Sequence, residues 1–280
     1  MQASDLSMHT SEAILIWEKK SMELQKVDVR GVQVCNVTLQ EAVDYIQENM
    51  KKAVPTAVYT PNAEIVQLCI DDPSYYPIIN SAELVVPDGV GVIKAAKILG
   101  TPLKEKVAGV VLGERVLQLA AKEGYPVFLF GGKDASRCEG GQSIADKCKK
   151  IMEEKYPGLK IVGTKDGYCK KEGPENDQTI AEINASGASI LFVCLGAPLQ
   201  EKWIWENRAR LPDVKLFLGL GGSLDVYSGN TKRAPRIFIK LGLEWFYRLC
   251  REPWRIGRMM KLPKFYFGTH TYKRKLKKQK

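Results

Sequence analysis

The 280-residue chain lacks several features that would assign it to a specialised class of protein. It has no apolar run near the roughly 18 to 20 residues that a membrane-spanning helix needs. Its two histidines, His9 and His270, lie near the ends of the sequence, and its seven cysteines are scattered without a CxxC pair. These absences argue against a metal site and favour free thiols in a reducing compartment.

Two nucleotide-binding motifs are also missing. Neither GxGxxG nor GxxxxGK[ST] occurs, which disfavours a nicotinamide-dependent oxidoreductase and a P-loop enzyme. The apolar stretch at residues 13–17 is too short for the core of a signal peptide, so we expect a cytoplasmic protein. With 45% hydrophobic and 26% charged residues, the composition is globular, which excludes disorder, collagen and coiled coil as the main architecture.

The positive charge is concentrated at one end of the sequence. The formal net charge is +10, yet residues 231–280 carry 16 of the 42 Lys and Arg residues and only two of the 32 acids. Nine aromatic residues are interspersed among these bases. Such a segment suits an anionic bilayer surface, where rings lie at headgroup depth. It also suits nucleic acid, where rings stack on bases, or a solvated face over an ordinary core.

Strand-like and helix-like segments alternate from residue 27 onward. Short apolar runs such as residues 127–130, 190–195 and 215–220 have the continuous pattern of strands that are buried on both faces. We therefore predict the α/β class, with a Rossmann-like, mostly parallel sheet covered by helices and a basic helical C-terminal appendage. A capping box at Thr38–Glu41 begins one helix. A helix of about twenty residues is expected after the strand at 127–130.

This pattern divides the chain into three parts. Residues 1–25 form an N-terminal extension, and residues 26–230 form the α/β body, with two Rossmann-like halves that could meet near residues 105–125. Residues 231–280 form the appendage, which we expect to associate with membranes. Whether the chain forms a homo-oligomer is left open.

Ligands of open parallel sheets bind at the carboxyl ends of the strands, so the residues that follow each strand are the site candidates. Five short polar or glycine-rich segments occur there. Their glycines would let a backbone approach a phosphate, and together they suggest a nucleotide-like ligand. The segments are Thr60-Pro61-Asn62, Pro87-Asp88-Gly89, Gly131-Gly132, Gly196 to Gln200, and Gly221-Gly222 with Asp225.

Each polar side chain in these segments also has an ordinary structural interpretation. Asp88 would suit a general base at the edge of a cleft, or it would cap the helix that follows. Thr60 and Asn62 would hydrogen-bond a sugar or cap the helix that follows them. Gln200 would be a surface polar residue if considered alone. The acidic pair Asp71-Asp72 precedes a proline and is interpreted as an exposed turn rather than a metal site.

Taken in order and spacing, these segments resemble the WecG/TagA/CpsF family of glycosyltransferases. The C-terminal sequences Lys232-Arg233-Ala234-Pro235 and Gly242-Leu243-Glu244-Trp245 are similar to that family's C-terminal signature. The resemblance runs from about residue 27 to residue 267. Lys106 stands where the family often has arginine, and Val110-Val111 stand where an acidic residue is common.

The resemblance implies an inverting transferase. Because the sequence offers no convincing acidic pair for a metal, we expect the enzyme to need no metal or other cofactor. Its expected donor is a UDP-sugar, and the sugar is N-acetylmannosamine or a related one. The expected acceptor is undecaprenyl-diphosphate-linked N-acetylglucosamine, at the inner face of the cell membrane. The products would enter teichoic acid, common antigen or capsule synthesis.

Carried over residue by residue, the resemblance puts the general base at Asp88. It puts substrate contacts at Thr60 and Asn62, a contact near the diphosphate at Gln200 and a contact to the nucleoside at Asp225. Positive charge for the leaving group is expected from Lys106 and from tail arginines that recur every three or four residues. These are Arg248, Arg255 and Arg258, with Arg251 at the same spacing.

The alternative function is a nucleic-acid-binding protein that uses the basic tail. It predicts binding with a steep dependence on salt and no affinity for UDP. The resemblance favours the transferase, and we therefore expect no nucleic-acid partner.

Overall fold

The computed structural model describes residues 24–251, 253 and 256–278. Most of the predicted N-terminal extension therefore lies outside the described residues. The strands are β1 Lys26–Val29, β2 Val32–Cys35, β3 Thr56–Tyr59, β4 Leu84–Val85, β5 Pro126–Gly131, β6 Lys160–Lys165, β7 Ile190–Cys194 and β8 Leu216–Gly219. The α-helices are α1 Leu39–Lys51, α2 Ala63–Asp71, α3 Tyr76–Asn80, α4 Val90–Leu99, α5 Gly109–Glu123, α6 Ile144–Lys155, α7 Gly173–Ala185, α8 Leu199–Asn207, α9 Ser223–Tyr227, α10 Arg236–Lys240, α11 Glu244–Arg251, α12 Ile256–Met259 and α13 Lys261–Lys278.

The first helix begins as its sequence predicts. The Thr38 hydroxyl accepts a hydrogen bond from the Glu41 amide at 3.2 Å, and the Thr38 amide donates to the Glu41 carboxylate at 2.8 Å. This reciprocal pair is the predicted capping box, and it satisfies two amides that the first helical turn would leave unpaired. The helix buries Ala42, Ile46 and Met50 on one face.

Strands β3 to β8 form one sheet in the order β4-β3-β8-β7-β5-β6, and every neighbouring pair is parallel. All five residues of β7 and all four of β8 are buried, because helices cover both faces of the sheet. The predicted α/β class with a helix-covered parallel sheet is confirmed. The strands on either side of residues 105–125 belong to this same sheet.

Side chains of β3, β5, β7 and β8 alternate between two core layers. Tyr59, Phe130 and Phe217 face the layer formed with α2, α3, α4, α7, α8 and α13. Leu129 and Leu218 face the layer formed with α1, α5, α6 and α9. The apolar run of each of these four strands therefore supplies both cores at once.

The helix after β5 is shorter than the twenty residues that the sequence predicts, and that prediction was wrong. Gly140 and Gly141 have φ angles of 86° and 65°, a left-handed conformation that ends a right-handed helix. The helix α6 begins only at Ile144, where the Ser143 hydroxyl accepts from the Asp146 amide at 3.1 Å. The residues between β5 and α6 therefore form a loop that contains one short 3₁₀ helix, Ala135–Arg137.

The C-terminal helix α13 packs on α2 and α4 of the body. The Phe265 ring is 2% exposed and belongs to the hydrophobic core, and Lys264 Nζ lies 2.7 Å from Asp71 Oδ1 at the end of α2. The Arg30 guanidinium, at the tip of the β1–β2 hairpin, lies 5.3 Å from the centre of the Tyr272 ring. The predicted C-terminal helix is thus present and docked against the body at several points along its length.

Other apolar residues of the C-terminal segment remain exposed. They include Trp245, Phe246, Tyr266 and Phe267, and the Phe267 ring is 68% exposed although it lies two residues from the buried Phe265. Within the part of the chain that the structure describes, no helix combines the length and the apolar character needed to cross a bilayer.

Candidate active site

The carboxyl ends of the parallel strands meet at one edge of the sheet and carry the residues selected from the sequence. In spatial order this edge presents Asp88 after β4, Thr60 after β3, Gly221 after β8, Gly196 after β7 and Gly131 at the end of β5. With strands about 4.8 Å apart, the edge from β4 to β5 spans roughly 19 Å. We call this edge the strand-end cleft.

Asp88 lies at one end of this cleft and is half-buried. Its amide donates to the Pro61 carbonyl at 3.2 Å, while the neighbouring Pro87 carbonyl accepts from the Val107 amide at 2.9 Å. These two bonds fix the backbone around Asp88 between the β3 end and the loop that leads to α5. The N-cap of α4 is Gly89, whose φ is 86°. Asp88 therefore does not occupy the N-cap position, and the interpretation of Asp88 as the cap of this helix was wrong.

Thr60 and Asn62 both have structural partners at the end of β3. The buried Thr60 hydroxyl donates to the Gly219 carbonyl at 3.1 Å and so joins β3 to β8. The Asn62 side chain accepts from the Ile65 amide at 3.0 Å and caps α2, which confirms the capping alternative for this residue. Their contact with a sugar stays a prediction.

Lys106 connects the cleft to the C-terminal segment. Its ammonium lies 3.8 Å from the Glu244 carboxylate at the start of α11. A Cβ added to Gly242 would lie 3.2 Å from Val90 Cγ2, in the first turn of the helix that follows Asp88. The segment that begins the appendage therefore packs against Lys106 and the first turn of α4, two residues after Asp88. The side chains of Arg248 and Arg258, and Arg255 entirely, lie outside the described residues.

Gln200 occupies the centre of the cleft and is 2% exposed. Its side-chain oxygen accepts from the Gly221 amide at 2.8 Å and from the Gly196 amide at 3.2 Å. One buried side chain thus holds the turns after β7 and β8 together, which excludes the interpretation of Gln200 as a surface residue.

The glycines at the β5 end are packed tightly against their neighbours. A Cβ on Gly131 would lie 2.3 Å from the Cys194 carbonyl oxygen at the end of β7, and one on Gly132 would lie 2.7 Å from Ile144 Cβ. Close packing therefore requires glycine at both positions, whatever ligand approaches them. Whether the two residues also approach a phosphate stays a prediction.

Gly222 and Asp225 belong to the turn and short helix after β8. A Cβ on Gly222 would lie 3.9 Å from Asp225 Oδ2, and the other Asp225 carboxylate oxygen accepts from Asn230 Nδ2 at 2.9 Å. The Asp225 carbonyl also accepts from the Thr231 amide at 2.8 Å. These bonds order the chain just before the basic segment begins, and the expected contact with a nucleoside stays a prediction.

Glu201 is a residue of this region to which sequence reasoning gave no role. Its carboxylate is fully buried, and it accepts from Gln200 Nε2 at 2.8 Å and from the Tyr75 hydroxyl at 2.7 Å. Burial raises the pKa of the Glu201 carboxyl, and the two hydrogen bonds oppose that shift. An acid at the third position of a helix is common on a surface, so nothing in the sequence alone marked it as buried.

Metal-binding side chains do not gather anywhere in residues 24–251, 253 and 256–278, where no group of three or more His, Cys, Asp or Glu residues converges. Asp71 and Asp72, the acidic pair considered in the sequence, have separate partners. Asp71 accepts from Lys264 and Gln67, and Asp72 accepts from the Ser74 amide and hydroxyl. Both aspartates are exposed at the end of α2, where the chain leaves the helix, which agrees with their interpretation as an exposed turn rather than a metal site.

Comparison with known sequences identifies relatives along nearly the whole chain. The sequence model of the glycosyl transferase WecG/TagA/CpsF family matches residues 27–280. A protein of Bacillus subtilis (strain 168) is 34% identical over 245 residues, which cover 86% of this chain and 90% of the relative. A protein of Bacillus spizizenii is 36% identical over 221 residues, which cover 79% of each chain.

A third relative, from Staphylococcus aureus (strain MRSA252), is 33% identical over 258 residues, which cover 91% of this chain and 96% of the relative. All three relatives bear the name N-acetylglucosaminyldiphosphoundecaprenol N-acetyl-beta-D-mannosaminyltransferase. The match to the family model and the identity of these relatives extend over most of the sequence. The chain belongs to the WecG/TagA/CpsF family of glycosyl transferases.

Proposed function

We propose that this chain transfers N-acetylmannosamine, or a related sugar, from a UDP-sugar to N-acetylglucosamine on undecaprenyl diphosphate. The names of the relatives support the sugar and the acceptor. The UDP donor rests on the family resemblance and on the glycine-rich turns of the strand-end cleft. We propose that the product enters cell-surface polysaccharide or teichoic acid synthesis.

The observation that carries the proposal is the placement of Asp88. It is a half-buried carboxylate at a strand end, with its backbone fixed by Pro61 and Val107 on either side and with the C-terminal segment close by at Val90. A general base needs this combination of a defined position and access to a ligand. An acceptor whose sugar enters here would remain next to the segment that we expect to contact the membrane.

In the proposed reaction, one bond forms as another breaks. The acceptor hydroxyl oxygen attacks the anomeric carbon while Asp88 takes the hydroxyl proton. The bond from that carbon to the UDP oxygen breaks, and its electron pair leaves with the diphosphate. A single displacement of this kind inverts the configuration at the anomeric carbon.

The departing diphosphate needs positive charge around it. Lys106 and the N-termini of helices that begin at the cleft supply such charge in the proposal, together with the arginines of the C-terminal segment. We propose that these groups suffice without a metal ion. The Lys106–Glu244 contact would then be exchanged, at least in part, for a contact between Lys106 and the diphosphate.

The C-terminal segment is the part that we propose to bind the inner face of the cell membrane. It combines basic residues with large apolar side chains that are more than one-third exposed to solvent. Basic groups near an anionic leaflet contribute about 1 kcal/mol each, and apolar rings enter the headgroup region. Among the described residues, the exposed apolar ones are Ile237, Leu241, Leu243, Trp245, Phe246, Ile256, Met260, Tyr266, Phe267 and Leu276.

A donor panel tests the proposed function directly. The full-length protein would be incubated with a lipid-diphosphate-linked N-acetylglucosamine and with each of several UDP-sugars, and the lipid product would be analysed by mass spectrometry. The proposal predicts the mass gain of one N-acetylhexosamine from UDP-N-acetylmannosamine, with a rate that EDTA leaves unchanged. It would be contradicted by no sugar transfer from any donor, and a rate that EDTA abolishes and magnesium restores would contradict its metal-free part.

A further inference from the structure

Two adjacent buried side chains, Gln200 and Glu201, form a chain of hydrogen bonds beneath the strand-end cleft. One Glu201 carboxylate oxygen accepts from Gln200 Nε2 at 2.8 Å, and the other accepts from the Tyr75 hydroxyl at 2.7 Å. The Glu201 carbonyl accepts from the Tyr59 hydroxyl at 3.2 Å. The carboxylate is therefore held by Tyr75, just before α3, and by Gln200 of its own helix, while Tyr59 of β3 holds the main-chain carbonyl, so the position of Glu201 is defined.

The contact with Glu201 determines which way the Gln200 amide points. An amide group has one accepting and one donating end, and the two are nearly equal in size. With Nε2 directed at a carboxylate, the oxygen must face the Gly196 and Gly221 amides, both of which donate to it. The reversed amide would oppose nitrogen to two N–H donors and oxygen to a carboxylate oxygen, which is unfavourable at both ends.

The two glycine turns depend on that oxygen for their spacing. Gly196 follows β7 and Gly221 follows β8, and a single acceptor atom 3.2 Å and 2.8 Å from their amides joins these turns at the middle of the cleft. Gln200 is almost inaccessible to solvent, so its side chain affects a ligand chiefly through the turns that it holds. Those two amides are occupied by Gln200 and are not the ones that would meet a phosphate.

We propose that Glu201 is a positioning residue, which orients the Gln200 amide so that its oxygen fixes the turns at Gly196 and Gly221 for substrate binding. The inference rests on the proposed function, because it assigns those turns to the substrate site. Glu201 does not touch the substrate in this account. It acts through Gln200, and the effect of removing it is a displacement of the two turns.

Two substitutions at position 201 distinguish the orientation of the Gln200 amide from the space that the Glu201 side chain fills. Glu201→Gln keeps the volume and an oxygen that accepts from Gln200 Nε2, and its own amide nitrogen can donate to the Tyr75 oxygen. Glu201→Met keeps a similar volume but removes the acceptor, so the Gln200 amide loses its directing partner. A misplacement of about 1 Å at a reaction site costs about 100-fold in rate, so a loss of that order in kcat/KM is expected for Glu201→Met only.

A matched control uses a structural carboxylate at the opposite end of the sheet. Glu83 accepts from the Ala57 amide at 2.7 Å, where β3 begins, and pairs with Arg208 at 3.0 Å. Glu83→Met should lower the melting temperature without lowering kcat/KM of the folded enzyme. The comparison between Glu83→Met and Glu201→Met therefore corrects for a general loss of stability.

Amide hydrogen exchange, followed by NMR, reports on the turns independently of catalysis. The Gly196 and Gly221 amides should exchange faster in Glu201→Met than in the wild type, and at the wild-type rate in Glu201→Gln and Glu83→Met. Equal exchange in all four proteins, or a full loss of activity in Glu201→Gln, would overturn the positioning role. If the exchange pattern holds while the wild type transfers no sugar, the positioning of the turns stands and the proposed function fails.

Discussion

Lys106 is the basic residue that we propose to meet the leaving group. It contacts Glu244 at 3.8 Å, and both side chains are only about one-quarter exposed. Lys106→Met should lower kcat about 10- to 100-fold, because a positive charge at the developing diphosphate would be lost. Steady-state kinetics with a UDP-sugar would measure the change.

Lys104 provides the control for this prediction, because it lies two residues away and pairs with Glu41 at 2.7 Å on the exposed surface. Lys104→Met should retain wild-type kinetics. Equal effects of the two substitutions would show that Lys106 has no special role.

Glu201 also gives stability a dependence on pH that can be measured. Its pKa is raised in the folded state by burial, so the folded protein binds the proton more tightly than the unfolded chain does. The contribution of Glu201 to stability must then fall as the pH rises above its unfolded pKa of about 4.3. Relative to the wild type, Glu201→Gln should become progressively more stable as the pH is raised from about 4.3 towards neutrality.

Urea unfolding at several pH values in this range would give the difference in unfolding free energy. The other titratable groups around Glu201 are Tyr59, Tyr75 and Cys69, whose pKa values are all raised, with that of Cys69 at about 12. They therefore stay protonated over the range. A difference that does not vary with pH would contradict the prediction, and Glu206→Gln, at an exposed position of the same helix, should follow the wild type.

For single residues, the sequence predicted the location in the fold better than the hydrogen-bond partners. Asp88, Thr60 and Gly221 follow apolar strands, and parallel strands bring such residues to one edge, so their location followed from the sequence pattern. The environment of Glu201 did not, because its partner Tyr75 lies 126 residues away along the chain. A contact of this kind depends on the order of the strands, which the sequence pattern alone did not define.

The C-terminal helix α13 contains a matched pair of rings with opposite environments. Phe265 is 2% exposed in the core and Phe267 is 68% exposed. Phe265→Ala should lower the free energy of unfolding by about 3 to 5 kcal/mol, because it leaves a cavity between α13 and the body. Phe267→Ala should change it by less than about 0.5 kcal/mol.

Urea unfolding of the two variants would measure this difference. Equal losses would show that α13 is not docked through Phe265. Little loss from either variant would show that the helix contributes no stability to the body.

The elements themselves were predictable where the sequence pattern was strong. The strands β5, β7 and β8 and the start of α1 followed from apolar runs and a capping box. The long helix predicted after β5 was wrong because Gly140 and Gly141 interrupt the segment and Ser143 caps the helix that forms. The docking of α13 could not be predicted, because its contacts with α2 and α4 join distant parts of the sequence.

For the whole molecule, the uneven distribution of charge predicts binding to anionic lipid. Deleting residues 231–280 would be a poor test, since it would remove Phe265 from the core as well as the basic surface. Single substitutions avoid this problem. Trp245→Glu should weaken cosedimentation with vesicles that contain phosphatidylglycerol, because it places a negative charge at headgroup depth.

Trp205 serves as the control for the vesicle measurement, because it is 47% exposed on α8 and lies outside the C-terminal segment. Trp205→Glu should bind vesicles as the wild type does, and neutral vesicles should bind neither variant. Wild-type binding by Trp245→Glu would remove this ring from the proposed membrane surface.

The central claim is that sugar transfer takes place at the strand-end cleft with Asp88 as the general base. The most direct measurement compares Asp88→Asn with the wild type in transfer rate and in UDP affinity by calorimetry, with Asp44→Asn on the exposed face of α1 as the control. The account predicts that Asp88→Asn transfers sugar about 10²- to 10⁴-fold more slowly while binding UDP as the wild type does. A wild-type rate of transfer in Asp88→Asn would contradict it.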